Sequence, residues 1–241
     1  FADAGDFTFY FVGAMDSAEA VRPLVEQYLA SLPTSGREER PRDLGVRPPK
    51  GVVEKEVRRG QEQQARVQMV LTGEAEWSQE NRRLLNVIEG VLDIRLRELL
   101  REALGGPYGV SVGGSLSREP AERFTFSIGF GCDPDRVEEL TDTVLAELKR
   151  FRQEGAQPEN IVKVRETTAN AHSVGLKQNG YWLSSLMFYD RNGLALDDIP
   201  TGAAPFYETL TNDAIIAASK VFLDETNFIK VVLLPEEGHA N

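Results

Sequence analysis

Apolar and polar residues alternate along several short stretches of the chain, and this spacing predicts β-strands. The clearest stretch is residues 65–71, where Arg66 and Gln68 separate apolar residues, as in a sheet with one covered face. Aromatic and β-branched residues predict another strand at residues 7–12. The other predicted strands are residues 53–57, 108–117, 124–131 and 228–234.

Apolar residues at helical spacing predict helices between these strands. Asp16, with Glu19 three residues later, is predicted to cap a helix that ends at Pro33. Ser78 is predicted to cap a long helix whose apolar stripe is Leu84, Leu85, Ile88, Val91, Leu92, Leu96, Leu99 and Ala103. The polar stripe of the same helix is Asn86, Glu89, Asp93, Arg97 and Arg101. Further helices are predicted after Asp133-Pro134, from Pro158 to about Tyr189, with a break near Gly180, and at residues 212–222.

The order of these elements predicts an α+β fold, an antiparallel sheet with helices packed on one face. Residues 34–50 contain several prolines and almost no apolar periodicity, so they are predicted to be a linker. The stretches FTFYFVGAMD and FTFSIGFGCD share a strand–Asp–helix pattern. This similarity is either chance, or a sign that residues 1–33 are the last strand–helix unit of a domain homologous to residues 51–241.

The composition and net charge of the chain exclude some classes of partner. A net charge of −11 and a pI of about 4.8 argue against a nucleic-acid partner, because phosphate binding needs Lys and Arg. No apolar run approaches the roughly 18 residues that a membrane helix needs. No signal peptide is visible, and the start at Phe1 rather than Met suggests a fragment of a longer protein. The single cysteine, Cys132, excludes an internal disulfide and leaves the compartment open.

The sequence contains few candidate catalytic residues. His172 and His239 are the only histidines, and neither HExxH, HxxEH nor a zinc-type Cys/His spacing is present. No metal ligand is therefore predicted in this chain. Cys132 is either a thiolate stabilised at a helix start or, as we favour, a buried inert thiol. A phosphate-binding turn at Gly105-Gly106 is disfavoured by the missing Lys and by Pro107.

The junction LREALGGPYGVSV combines a helix end with a strand start. Arg101 is predicted in the last helical turn, and Tyr108 follows seven residues later at the start of the strand. A purely structural interpretation is available, because the helix dipole favours Arg there and Gly105 and Pro107 end a helix well. A tyrosine that is half apolar and half solvated also suits a strand end. Residue types alone leave this interpretation and a functional one open.

A family resemblance favours the functional interpretation. The stretch DIRLRELLREALGGPYGVSV resembles the motif RL-x3-LRE-x-LG-x2-Y-x-V of the pitrilysin and insulin-degrading-enzyme family of zinc metallopeptidases, whose metal motif is HxxEH. FTFYFVGAMDSAEAVRPLVEQYLASLP resembles the unit that closes one of that family's repeated domains. DPDRVEEL and KQNGYWLSSL follow in the family's order, so the resemblance covers nearly the whole chain.

The resemblance implies both an architecture and a role. Family members consist of four homologous α+β domains, in two halves that enclose a chamber, and zinc and the catalytic glutamate lie in the first domain. The last domain carries an Arg and a Tyr seven residues apart, which match Arg101 and Tyr108. These two residues would bind the peptide substrate and stabilise the transition state. Zinc would be the parent enzyme's cofactor, and the chain's partner would be the N-terminal catalytic half, in the same chain or in another subunit.

Two alternatives accompany this interpretation. Asn179, with Tyr181 and Trp182, lines the chamber and binds substrate, or else these residues anchor a helix bend. The chain as a whole is the non-metal-binding part of a zinc endopeptidase, inactive by itself, or it is a catalytically inactive structural or binding module of the same fold. The resemblance points to a bacterial parent, with the periplasm as a candidate compartment.

Overall fold

The computed structural model describes residues 3–37, 39–104 and 109–236. The chain divides into two compact units. One contains Phe1–Arg42 and Thr167–Pro205, and the other contains Asp43–Glu166 and Phe206–Asn241. Among the described residues, no helix has the length and apolar character needed to cross a membrane.

A sheet of five strands, counted over the described residues, forms the centre of the second unit. The strands are β1 (Val53–Arg58), β2 (Ala65–Glu74), β3 (Val110–Ser117), β4 (Arg123–Cys132) and β5 (Phe228–Leu234), in the order β1-β5-β2-β4-β3. Every neighbouring pair is antiparallel except β1 and β5, which are parallel. The predicted antiparallel sheet is thus confirmed apart from one edge strand. The predicted start of β3 at Tyr108 lies outside the described residues.

Helices cover one face of this sheet, as predicted. Apolar residues of β2 are buried under the helices, while Arg66 and Gln68 between them are exposed on the open face. The ring of Phe124 in β4 packs edge-on against Phe222, with centroids 5.2 Å apart. The helices of the chain are α1 (Ala18–Tyr28), α2 (Gln79–Leu104), α3 (Val137–Glu154), α4 (Pro158–Gly175), α5 (Asn179–Arg191), α6 (Ala204–Thr209) and α7 (Asn212–Phe222).

The buried row of α2 differs from the predicted stripe at its C-terminal end. Leu100 is completely buried, whereas Leu99, predicted to face the core, is 42% exposed. The reason is helical geometry, because residues four apart lie on one face and the row follows positions 84, 88, 92, 96 and 100. Arg101 is exposed, as predicted.

The long helix predicted from Pro158 to about Tyr189 is two helices, α4 and α5, separated at residues 176–178. The predicted break at Gly180 was therefore misplaced by a few residues. The indole nitrogen of Trp182 donates a hydrogen bond to the carbonyl oxygen of Leu176 at 2.8 Å. This bond satisfies a backbone group that the end of α4 leaves free.

The predicted strand at residues 7–12 is not a strand in the structure. Phe7, Phe9 and Phe11 are exposed, and α1 has no buried residue. A strand needs a neighbouring strand for its backbone groups, and none pairs with residues 7–12 in the described part of the chain. The cap of α1 is Ser17 rather than Asp16, since the Ser17 hydroxyl accepts a hydrogen bond from the Ala20 backbone N–H at 3.2 Å.

Candidate functional site

Arg101 lies in the last turn of α2 with an exposed side chain. Its predicted partner, Tyr108, lies outside the described residues, so the juxtaposition of the two side chains stays a prediction. The chain re-enters the described structure at Gly109, directly before β3. Arg101 and Gly109 therefore lie on either side of the connection between α2 and β3, the edge strand of the sheet.

A buried ion pair holds the C-terminal half of α2 against α3. The Arg95 Nε and Glu147 Oε1 atoms are 2.5 Å apart, and Arg95 Nη1 donates to the Gly155 carbonyl oxygen at 3.1 Å. The guanidinium also lies over the Phe151 ring, 5.5 Å from its centroid. Burial lowers the pKa of Arg95, although Glu147 opposes that effect. Sequence analysis missed Arg95, although its position on the apolar stripe, three residues after Leu92, was an available signal.

A second contact joins α2 to the sheet edge. Glu89 Oε2 accepts a hydrogen bond from the Gly114 backbone N–H of β3 at 3.0 Å. Burial raises the pKa of Glu89, the bond from Gly114 lowers it, and the nearby Asp93 raises it. Leu85 of α2 fills the space where a side chain at Gly114 would stand, since a Cβ there would lie 2.9 Å from Leu85 Cγ. These contacts fix α2, and with it Arg101, relative to β3.

A cavity of about 670 Å³ lies on the open face of the sheet, away from the helices. We call it the open-face trough and define it by Arg66 and Gln68 of β2, Ser111 of β3, Gly129 and Gly131 of β4, and Leu233 of β5. Its volume lies within the range of about 300–1,000 Å³ that is typical of ligand sites. Gly109, the residue before β3, also lines it. Sequence analysis assigned Arg66 and Gln68 only to a solvated face.

The other predicted site residues lie in the first unit. Asn179 is exposed at the first position of α5. The Tyr181 hydroxyl and His172 Nδ1 are 2.7 Å apart, and His172 Nε2 is 2.9 Å from the Pro200 carbonyl oxygen. Because Trp182 also bonds to the backbone of Leu176, both aromatic side chains contact the bend between α4 and α5. A role of these residues in lining a chamber stays a prediction. His239 lies outside the described residues.

Cys132 is a buried thiol rather than a reactive one. Burial raises its pKa to about 11, and the negative charge of Asp133 acts in the same direction. The thiol is therefore protonated at neutral pH, and the reactive-thiolate hypothesis is wrong. The described residues contain no group of three or more His, Cys, Asp or Glu side chains arranged to hold a metal ion.

Comparisons with known proteins give a family match. Residues 2–168 match the model of the peptidase M16 inactive domain. The chain is 27% identical over 201 residues to an Arabidopsis thaliana protein named zinc protease PQQL-like, covering 78% of this chain and 21% of that protein. It is 31% identical over 140 residues to the probable zinc protease PqqL of Haemophilus influenzae, covering 58% of this chain and 15% of that protein. The chain thus spans about a fifth or less of these relatives.

A solved structure shares the fold. The crystal structure of the periplasmic protease PqqL from Escherichia coli matches with a TM-score of 0.72 at 19% identity. The match covers 91% of this chain and 24% of that chain.

Proposed function

Because the chain belongs to the peptidase M16 inactive-domain family, we propose that it forms the chamber wall opposite the zinc site of a longer zinc endopeptidase. In this proposal Arg101 and Tyr108 bind the peptide substrate and stabilise the transition state of its hydrolysis. The observation that carries the proposal is the exposed position of Arg101 at the corner between α2 and β3. A guanidinium there is accessible to a substrate and is not needed in the core.

The chemistry suits these two residue types. Peptide hydrolysis places negative charge on the carbonyl oxygen, and a well-aimed hydrogen-bond donor is worth roughly 10²–10³ in rate. The guanidinium of Arg101 offers a rigid fork of hydrogen-bond donors and no acceptor, so we assign it no role as a base. Tyr108 adds a neutral donor. Zinc would activate the attacking water, and we place its ligands in the N-terminal half of the parent protein.

The domain organisation follows the same proposal. Residues 1–33 are the last strand–helix unit of the preceding homologous domain, residues 34–50 are a linker, and residues 51–241 are the complete last domain. The exposed aromatic residues Phe7, Phe9 and Phe11 support this division. In the parent protein the sheet of the preceding domain would pair with residues 7–12 and cover the apolar face of α1.

Substrate, partner and compartment are part of the proposal as well. The substrates are extended peptides, and the partner is the N-terminal catalytic half, in the same polypeptide or in a second subunit. Asn179 is retained as a further substrate-binding residue on the chamber wall, since it is exposed. The Escherichia coli structure is described as a periplasmic protease, and we propose a bacterial parent and the same compartment for this chain.

A reconstitution experiment tests the proposal. The 241-residue chain and the N-terminal half of its parent are purified separately, and cleavage of a fluorogenic peptide is measured for each alone and for the mixture. We expect cleavage only in the mixture, loss of cleavage with a chelator, and recovery with zinc. Zinc-dependent cleavage by this chain alone would contradict the proposal. A mixture no more active than the N-terminal half would favour the structural module instead.

A further inference from the structure

We propose that the open-face trough is a subsite for an acidic side chain of an extended peptide, with Arg66 as the residue that recognises the carboxylate. This inference rests on the proposed function, because it places part of the substrate on the same chamber wall as Arg101. It adds a specificity-determining residue that the family motif does not contain.

Strand register builds the trough from two rows of residues across the sheet. In one row Arg66 pairs with Gly131 on one side and with Leu233 on the other. In the next row Gln68 pairs with Gly129 and with Val231, and Gly129 also pairs with Ser111. The long side chains of Arg66 and Gln68 therefore stand beside Gly131 and Gly129 of β4, two glycines that we call the glycine floor. An extended peptide bound over this floor would run alongside β4.

The two glycines of the floor differ in how far neighbouring side chains cover them. A Cβ at Gly129 would meet Gln68 Oε1 and Ser111 Oγ, each at 2.9 Å, so these two side-chain ends lie over the buried Gly129. Glycine inside a strand weakens it, and often marks a place where a ligand or another backbone approaches closely. Gly131, directly beside Arg66, is only partly buried. We therefore assign the close approach of the ligand to Gly131.

The positive charge of Arg66 indicates that the ligand of the trough carries a negative charge. Arg66 is the charged residue among those that line the trough, and its side chain is exposed. Other arginines of the second unit, such as Arg97, pair with a carboxylate, whereas no carboxylate pairs with Arg66 in the described part of the chain. The chain as a whole has a net charge of −11, so Arg66 is a local positive charge that attracts a substrate carboxylate.

The remaining lining suits the rest of a peptide. The Gln68 amide offers a donor and an acceptor to a peptide backbone. Val231 and Leu233 provide apolar contact on the side of Arg66 away from the floor. Because the trough lies on the open face of the sheet, we assign it an internal acidic side chain of the peptide and not a C-terminal carboxylate.

Two matched peptides test the subsite. Both are short, N-acetylated, C-amidated and fluorescently labelled, and they differ only in a central Glu or Gln. Binding to the 241-residue chain is measured by fluorescence anisotropy. We expect the Glu peptide to bind about fivefold more tightly than the Gln peptide at low salt, because an exposed ion pair contributes on that order. Added salt should reduce this preference, since it screens exposed charges. Arg66→Gln should abolish the preference, and Lys55→Gln, the same charge change on edge strand β1, should keep it.

The floor is tested by Gly131→Ala, with Gly113→Ala as its control on the same face outside the trough. Gly131→Ala should weaken the binding of both peptides alike, and Gly113→Ala should weaken the binding of neither. Unfolding by urea verifies that each variant folds, and if Gly131→Ala fails to fold, the Arg66→Gln comparison decides. A Glu preference that survives Arg66→Gln, or no preference in the unmodified chain, would overturn the subsite.

Different experimental results would contradict the subsite and the proposed function. A parent enzyme that cleaves both peptides with equal KM, and whose activity still needs Arg101, would contradict the subsite alone. Arg66-dependent binding of the Glu peptide by a chain that adds no zinc-dependent peptidase activity to the N-terminal half of its parent would support the subsite and contradict the proposed function.

Discussion

The guanidinium of Arg95 and the carboxylate of Glu147 form a buried ion pair that joins α2 to α3, with side chains only 7% and 3% exposed. Arg150 holds the second oxygen of the same carboxylate, with Arg150 Nη2 and Glu147 Oε2 2.7 Å apart. Arg95 precedes Arg101 by six residues on one helix. The pair therefore anchors the helix that presents the proposed catalytic arginine.

Removing one partner of this pair should destabilise the domain strongly. We expect Arg95→Met to lower the free energy of unfolding by about 3 kcal/mol, the lower end of the range for a broken buried pair, because Arg150 still contacts Glu147. The double variant Arg95→Met/Glu147→Leu should recover most of that loss, since neither charge remains buried. Urea unfolding of the 241-residue chain measures both.

The matched control for this prediction is Arg97→Met, which breaks an exposed pair with Asp93 on the same helix. It should change the free energy of unfolding by less than about 1 kcal/mol. If Arg95→Met is as mild as Arg97→Met, or if the double variant is no more stable than the single one, the anchoring role of the pair is wrong.

The Glu89–Gly114 contact predicts a pH-dependent stability difference. Because burial raises the folded-state pKa of Glu89 above its ordinary value, the charged form is disfavoured in the folded chain. Relative to Glu89→Gln, the unmodified chain should lose stability as the pH rises from the ordinary carboxyl pKa through the raised one. The advantage of Glu89→Gln should therefore be larger at about pH 7 than at about pH 4.

The check is urea unfolding of both proteins across this pH range. Glu89→Leu is the control, because leucine offers no acceptor to the Gly114 N–H and should be less stable than Glu89→Gln at every pH. A stability difference between Glu and Gln that is constant with pH would show that Glu89 has an ordinary pKa in the folded chain.

Cys132 should be unreactive until the domain unfolds. With a pKa of about 11 and a buried side chain, its reaction with a disulfide reagent at pH 8 should be at least about 100-fold slower in the native chain than in urea. A chain with Cys132→Ser and Leu99→Cys supplies an exposed thiol as the control, and that thiol should react quickly without urea. Equal reaction rates for Cys132 in the folded unmodified chain and for the Leu99→Cys thiol in the folded variant would contradict the assignment.

Residues 7–12 should gain backbone protection in the longer parent protein. Their N–H groups lack a partner strand in the described chain, so we expect fast hydrogen exchange in the 241-residue chain. In the parent, pairing with the preceding domain should slow this exchange, while β4 exchanges slowly in both proteins. Unchanged fast exchange in the parent would contradict the proposed division at residue 33.

Much of the fold was predictable because one face of the sheet is covered by helices. Burial on one face imposes the alternation of apolar and polar residues seen in residues 65–71. Patterns of this kind predicted β2, β4 and β5 with nearly their observed bounds. The family resemblance carried by DIRLRELLREALGGPYGVSV is confirmed by the match to residues 2–168. The parallel pairing of β1 with β5 was missed, since it joins segments far apart in sequence and leaves no local pattern.

The candidate site was less predictable for similar reasons. Arg95 was missed because a charged residue on an apolar stripe is interpreted as an irregularity until its partner on another helix is known. Arg66 and Gly131 are far apart in sequence, and only the register of β2 with β4 places them side by side. Arg101 was found through the family motif, and its exposure agrees with the polar stripe of α2.

The most direct measurement of the central proposal is kcat of the full-length parent enzyme carrying Arg101→Ala or Tyr108→Phe, determined per folded molecule. Arg97→Ala, one turn earlier on the same polar face, is the control. We predict that each of the two variants lowers kcat by roughly 10²–10³ while the urea midpoint stays unchanged, and that Arg97→Ala leaves kcat unaltered. A kcat that survives both substitutions, or a loss fully accounted for by unfolding, would contradict the proposal.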